Sequence, residues 1–307
     1  MTKPVPDPSG CVWQVPVRRG SVGAGKLTEL SGLAASRTHP GLFWAHNDAG
    51  NKPYLFLISS DGNTKATYHL VGAPNTDWED IAVGPCQPPS ATLPAPPPCV
   101  WVGDIGDNGA VRPKVALLRF AEPTALPSAK KADNVVDVTA TEWDSVAFGY
   151  ADGPQNAESL AILPDGRAIV LTKRDDGTTV AYRVDSGVAL VAQQAEAKVE
   201  RLGQIHLAVG AQTSGQGVRA TGADLDLAGG ALTVRTYSTV QLFRQAQLLA
   251  DPASATLVAK LGQWQSLALP SPAETQGESV AWDSQGVLWC ASEGSAPAIY
   301  EIACTKP

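Results

Sequence analysis

Glu79, Glu158, Asp224 and Glu278 each stand at the entrance to a short apolar strand, and Ser31 holds that place in a fifth. The segments are Leu30-Ser31-Gly32-Leu33-Ala34, Trp78-Glu79-Asp80-Ile81-Ala82, Ala157-Glu158-Ser159-Leu160-Ala161, Ala223-Asp224-Leu225-Asp226-Leu227 and Gly277-Glu278-Ser279-Val280-Ala281. If equivalent positions of a repeat converge on one axis, four carboxylates point at one spot. Crowded carboxylates do not all stay ionised unless a cation sits among them. Calcium meets that need, because it takes about six to eight oxygen ligands drawn from carboxylates, carbonyls and water. The pattern therefore predicts Ca²⁺ on or near the axis, with Asp48, Asp104, Asp107 and Asn108 as further ligands. The competing reading is that each acidic residue caps a turn or accepts backbone N–H groups between repeats.

A second strand follows each entrance and ends in charge: His46-Asn47-Asp48, Asp104 to Asn108, Lys173-Arg174, Arg235 and Glu293. Cations beside a carboxylate-held metal suit an anionic substrate oxygen. Calcium-assisted hydrolysis of a phosphate or carboxylic ester is the chemistry this implies. Glu158, Lys173, Arg235 and His46 are the candidate catalytic residues, with Lys173 or Arg235 steadying developing charge and His46 as a base. Lys173 and Arg235 have an alternative role as ion-pair partners of the acidic ring, and His46 as a hydrogen-bonded structural residue. Two further readings stay open. One is glycoside hydrolysis, which needs two carboxylates about 5 to 9.5 Å apart around a sugar. Trp44, Trp78, Trp101, Trp282 and Trp289 read as core, however, which leaves few aromatics for sugar stacking. The other is a non-catalytic binding platform with structural calcium, whose variable surfaces are the loops 84–98 and 122–133. No Ser-His-Asp arrangement, nucleophile elbow, P-loop or dinucleotide fingerprint is present.

The elements that must position these residues are strands. The chain has 307 residues with 29 Gly, 24 Pro and 17% charged residues, the profile of many short strands with frequent turns. Helical periodicity is arguable only over Ser186–Leu202. The third repeat shows the unit: Ser159–Leu163, a Pro-Asp-Gly turn, Ala168–Thr172, an Asp-Asp-Gly turn, Val180–Val184, and a fourth strand within 189–202. The order recurs, but the fifth copy ends one strand short, and Val12–Val17 belongs to no copy. Five repeats with the last completed from the N-terminus predict a five-bladed β-propeller forming a single domain over 1–307. A six-bladed ring is the alternative, with a degenerate blade hidden in 110–155.

Cysteine placement agrees with a ring joined through its ends. Cys11 and Cys304 lie near the two termini beside strands, Cys86 and Cys99 bracket a Pro-rich loop, and Cys290 reads as a buried hydrophobe. Two disulfides, Cys11–Cys304 and Cys86–Cys99, are expected, and with them an oxidising compartment, secreted or periplasmic. Met1–Gly10 lacks an apolar h-region, so no signal peptide is expected within it. A net charge of −7 argues against nucleic acid. No run approaches the roughly 20 apolar residues needed for a membrane helix. The expected partner is a small-molecule or anionic ligand in the central channel of a monomer.

Several motifs resemble a family of secreted bacterial propellers similar to TolB-like and phytase-like propellers. They include Glu29-Leu-Ser-Gly-Leu, Trp44-Ala-His-Asn-Asp48-Ala-Gly, Asp77-Trp-Glu-Asp-Ile, Gly103-Asp-Ile-Gly-Asp-Asn108, Asp152-Gly-Pro-Gln-Asn-Ala-Glu158, Thr172-Lys-Arg174, Val234-Arg-Thr-Tyr237, Gly277-Glu-Ser279 and Ser292-Glu-Gly294. The resemblance covers most of the chain and implies a β-propeller and an extracellular location. It also implies calcium with basic residues acting on phosphate esters, as in phytase-like propellers.

Overall fold

The computed structural model describes residues 3–7, 9–23, 25, 27–127, 135–185, 196–207, 215–226, 230–244, 266–274, 276–294 and 296–306. Segment 186–195 of the arguable helix, residues 128–133 of the loop 122–133 and Leu227 lie outside the described residues. Within them the protein is all-β apart from one 3₁₀ turn, Gln216–Val218. Alternating apolar residues and frequent Gly turns split the chain into successive antiparallel sheets, each a meander.

The first sheet runs Leu30–Ala35, Leu42–Asn47, Tyr54–Ser59 and Thr64–Leu70, and Val135–Val138 adds to its outer edge in parallel. The second comprises Trp78–Pro85, Pro98–Asp104, Val115–Ala121 and Trp143–Phe148. The third is Ala157–Ile162, Ala168–Thr172, Thr178–Val184 and Val199–His206. The fourth is Ala220–Asp226, Ala231–Thr236, Val240–Arg244 and Leu267–Leu269. The fifth is Gly277–Trp282, Leu288–Ser292 and Ala298–Ile302, completed by Val17–Ser21 from the start of the chain. Stretch 110–155 thus supplies strands to the first and second sheets. The first strand of each sheet packs beside the first strand of the next, and that of the fifth beside that of the first. Large apolar side chains fill the space between sheets, with Trp13, Trp44, Trp78 and Trp101 all fully buried.

The N-terminal strand enters the fifth sheet later than expected. Val12–Trp13 instead pairs with Val5–Pro6 and Cys304–Thr305 in a small separate sheet. Trp13 explains the shift: its indole donates to Asp7 Oδ2 at 2.9 Å and meets Trp282 edge-on at 5.7 Å. That anchor consumes Val12–Trp13, and Val17–Ser21 supplies the edge. Both expected disulfides are present, Cys11–Cys304 with Cα atoms 5.6 Å apart and Cys86–Cys99 at 4.8 Å. Cys290 is a buried free thiol.

All five sheets slip register at the same place, between their first two strands. The skipped residues are Glu79, Glu158, Thr221 and Glu278, and Ser31 with Gly32 in the first sheet. A bulge frees a side chain from the ladder and re-aims it. This corrects the alignment of the fourth repeat: Thr221, not Asp224, is equivalent to the three bulged glutamates. Asp224 sits further along, within the ladder opposite Thr233.

First strands that stand side by side without a shared ladder leave backbone N–H groups facing the middle, and such groups must find acceptors. Asp80 provides them. Its Oδ2 accepts the Leu160 and Ala223 amides at 2.7 and 3.0 Å, and its Oδ1 accepts Ile81 N at 2.9 Å. One fully buried carboxylate thereby ties together the second, third and fourth sheets. Asp224 does the same between the fourth and fifth, with Oδ2 accepting Trp282 N at 2.7 Å. The Ser31 hydroxyl donates to Glu79 O at 2.6 Å and the Thr221 hydroxyl to Gly277 O at 2.8 Å. Asp80→Ala, which orphans three amides, is expected to lower unfolding free energy by about 3 kcal/mol or more. Asp80→Asn, which keeps one carbonyl acceptor, is expected to lose less. Urea denaturation measures both, and an unchanged midpoint for Asp80→Ala would remove the carboxylate as a tie.

Candidate functional site

Above the bulges lies a cavity of about 130 Å³, lined by Ser31, Asp48, Glu79, Asn108, Glu158, Lys173, Tyr237, Gln276, Glu278 and Glu293. Two structural positions supply most of this wall. The first is the bulge, which aims Ser31, Glu79, Glu158 and Glu278 inward. The second is the residue just past the last pair of each second strand. Asn47, Thr172, Thr236 and Ser292 are those last partners, so Asp48, Lys173, Tyr237 and Glu293 come next. Ile105 takes this place in the second sheet, after Asp104.

A third position escaped the sequence reading. Two residues before each bulge stand Glu29, Asp77, Asn156, Arg219 and Gln276, polar in every repeat. That regularity is visible in the sequence and points to Asp77 and Gln276. One carboxylate oxygen from each of Asp48, Asp77 and Glu79 can lie within 4.8 Å of the others. Gly106 makes room for them, because a Cβ there would stand 2.5 Å from Asp77 Oδ2 and would also strike Glu79. Gln276 Nε2 donates to Glu278 Oε1 at 3.0 Å and also to Glu293.

Charge in the cavity is one-sided. Among the described residues Asp48, Glu79, Glu158, Glu278 and Glu293 face one ammonium, that of Lys173, and Asp77 stands beside Asp48 and Glu79. Lys173 donates to Glu158 and lies 5.1 Å from the centre of the Tyr237 ring. Burial opposes its charge, but the Glu158 carboxylate outweighs that and raises its pKa. Burial pushes Glu158 up to about 7 even though Lys173 pulls it down. Burial and the Glu158 charge push Glu278 up to about 9. Glu79 is raised well above the usual range by burial and then by Glu158, Asp48 and Asp77. Asp77 and Glu293 are raised by burial and then by Asp48. Among the described residues no hydrogen-bond donor reaches the Glu79 carboxylate, although Glu79 is only 6% exposed.

The other predicted residues lie elsewhere, for reasons of register. His46 and Arg235 each precede the last partner of their second strands, inside the wall rather than at its rim. His46 is fully buried, its Nδ1 bonded to Asn47 O at 2.8 Å and its ring 5.8 Å from that of Trp78; burial lowers its pKa. Arg235 is fully buried, paired with Glu274 at 2.6 Å and packed on Gly277. Asp104 accepts Asp77 N at 3.0 Å and pairs with Arg112 at 2.8 Å, so it holds the Asp77 backbone from behind. Asp107 accepts the Val111 and Arg112 amides at 3.0 and 2.7 Å. Asp224 is spent on the amides of Leu225 and Trp282. Arg174 pairs outward with Asp176.

The three oxygens of Asp48, Asp77 and Glu79 fit a calcium ion. Ligands bound at about 2.3–2.6 Å can sit up to about 5 Å from one another across the ion. The same three residues suit it chemically, being hard anionic oxygens without donors of their own to satisfy Glu79.

No family model matches the chain, and no curated protein matches it. The resemblance to TolB-like and phytase-like propellers therefore rests on the motifs alone. Among solved structures, the chain is similar to the PQQ-bound form of aldose sugar dehydrogenase from Streptomyces coelicolor. The identity is 11%, the TM-score 0.50, and the match covers 98% of this chain and 100% of that one. This likeness shows the fold, an all-β propeller-type array, and nothing of the reaction. No helix among the described residues is long and apolar enough to cross a membrane.

The raised carboxyl pKa values set a pH dependence. A carboxyl that ionises near 4.5 when unfolded but near 7 or 9 when folded holds its proton longer in the folded state, so stability falls as pH rises between those values. In chelator, the melting temperature is expected to drop steadily from pH 5 to pH 9. Millimolar Ca²⁺ is expected to raise it most at pH 9, where protons compete least. Thermal unfolding across that range checks this, and a chelated protein most stable at pH 9 would contradict it.

Proposed function

We propose that the chain is a five-bladed β-propeller whose axial cavity holds Ca²⁺ and acts on a small anionic ester. Five consecutive sheets, the cyclic packing of their first strands and completion of the fifth by Val17–Ser21 support the blade count and the single domain. Asp48, Asp77 and Glu79 are the proposed calcium ligands, with the Asn108 side chain on the same wall. The observation that carries the reading is Glu79: nearly buried, without a hydrogen-bond donor among the described residues, and set among five other carboxylates. A buried anion in that setting needs a cation.

Bound calcium would supply Lewis acidity toward an ester oxygen and toward water. The chain supplies the rest. Glu158, near pKa 7, accepts or returns a proton at neutral pH. Lys173, steadied by the Tyr237 ring, offers the one positive charge that the described residues bring to the cavity wall to an anionic oxygen. Arg235 and Glu274 form the wall behind Gly277 and so position the Glu278 bulge. Two disulfides support an oxidising, extracytoplasmic location for a monomer.

Calorimetry with Ca²⁺ and a panel of nitrophenyl phosphates and carboxylates test the reading together. Glu79→Gln and Gly106→Ala are expected to weaken calcium binding at least tenfold, the second by displacing the Asp77 and Glu79 carboxylates without removing either. Glu158→Gln is expected to retain calcium and lose about 100-fold in turnover. Calcium binding with no turnover of any substrate would remove the hydrolase and leave a binding platform; no calcium binding would remove both.

A further inference from the structure

Past the end of Pro98–Asp104 the second sheet continues into a loop, residues 105–112. Its Gly106 backs the Asp77 and Glu79 carboxylates, and its Asn108 lines the axial cavity. The loop's path is fixed from within. Asp107 Oδ1 and Oδ2 accept the Val111 and Arg112 amides at 3.0 and 2.7 Å, and Asp107 O accepts the Ala110 amide at 2.7 Å. Asn156 Oδ1 accepts Asp107 N at 2.8 Å. Ala110 takes a φ of 48°, in the left-handed region that disfavours a Cβ, so these bonds hold a turn the residue does not itself prefer.

The turn brings the Arg112 guanidinium back to the start of the loop. Nη2 donates to Asp104 Oδ1 at 2.8 Å and Nη1 to Gly106 O at 2.6 Å. Asp104 and Gly106 are also the residues that hold the Asp77 backbone. Asp104 Oδ1 accepts Asp77 N at 3.0 Å, and Gly106 N donates to Asp77 O at 3.1 Å. Four hydrogen bonds thus close a ring through Asp77, Asp104, Arg112 and Gly106. A planar fork reaches two acceptors at once, which the point charge of a lysine does not match.

Charge alone gives this arginine the wrong sign for a cation site. It acts on the Asp77 carboxyl, favouring the ionised form against burial and Asp48. The same positive charge repels a bound cation. A guanidinium beside three carboxylates that are to hold Ca²⁺ therefore needs a reason other than its charge, and the ring supplies one.

We propose that Arg112 is a positioning residue of the calcium site: by locking Asp104 and Gly106 it fixes the Asp77 backbone and so aims the Asp77 carboxylate at the ion. The inference rests on the calcium reading of the cavity and on no reaction there.

Calorimetry of the full chain with Ca²⁺ tests it, because position and charge predict opposite signs. Arg112→Met is expected to weaken binding about tenfold, the usual order for losing a partner that orients a metal ligand. Loss of charge alone would tighten it. Arg112→Lys keeps the charge and loses the fork, and is expected to weaken binding as well. Tb³⁺ in the same site reports the aim of Asp77 directly. Its luminescence lifetimes in H₂O and D₂O are expected to show about one more bound water in Arg112→Met. Arg119→Met separates this from a general loss of stability, since Arg119 lies in the same sheet, paired with Asp144 at 2.8 Å and 5.0 Å from the centre of the Trp101 ring. It is expected to lower the melting temperature and leave calcium affinity unchanged. Equal or tighter Ca²⁺ binding by Arg112→Met, or weaker binding with unchanged hydration of Tb³⁺, would overturn the positioning role. Wild-type protein that binds no Ca²⁺ would overturn the calcium reading and this inference with it.

Discussion

Inner strands that lie side by side without a common ladder expose amides toward the middle of the molecule, and every other feature depends on how those amides are satisfied. Asp80 answers for three of them, reaching across to Leu160 and Ala223. Burial pushes its carboxyl well up, and the three amides act in the opposite direction. Asp224 extends the same device to the fifth sheet, and the Ser31 and Thr221 hydroxyls add ties of the opposite sense by donating to the Glu79 and Gly277 carbonyls. These ties set the spacing of the first strands, and that spacing sets the size of the cavity above them.

Adjacent carboxylates therefore have opposite fates. Asp80 stays in the ladder and turns to backbone donors, whereas Glu79, the bulged residue beside it, turns to the cavity and meets none among the described residues. The same slip in the third and fifth sheets delivers Glu158 and Glu278 to that cavity. On the proposed reading the folded chain accumulates negative charge that the scaffold alone does not neutralise, since Lys173 pairs with Glu158 and, among the described residues, no ion pair reaches Asp48, Asp77 or Glu79. The cation is the counterpart of that architecture.

Much of this was legible in the residues. The recurring strand entrances, the meander of the third repeat and the terminal cysteines each specify local chemistry that reappears in the sheets and disulfides. Much of the cavity was legible too, because the bulged residue is acidic in three of the five copies. What failed was register. Reading the fourth repeat by its acidic residue selected Asp224, when the flanking small residues of Ala220-Thr221-Gly222 match Ala157-Glu158-Ser159. His46 and Arg235 lie one residue inside the rim, and a displacement of one position exchanges cavity for core. Asp77 and Asp104 show a different limit: which carboxylate lines a site and which supports it from behind depends on loop geometry that spacing does not carry.

On the proposed reading the axial cavity is a divalent-cation site framed by the bulges. Anomalous diffraction from crystals grown with calcium tests it most directly. The account predicts a peak bonded to Asp48, Asp77 and Glu79 at about 2.3–2.6 Å, with the Lys173 ammonium still on Glu158. A cavity with no peak, and with the Lys173 ammonium moved onto the Asp48–Asp77–Glu79 side instead, would contradict it.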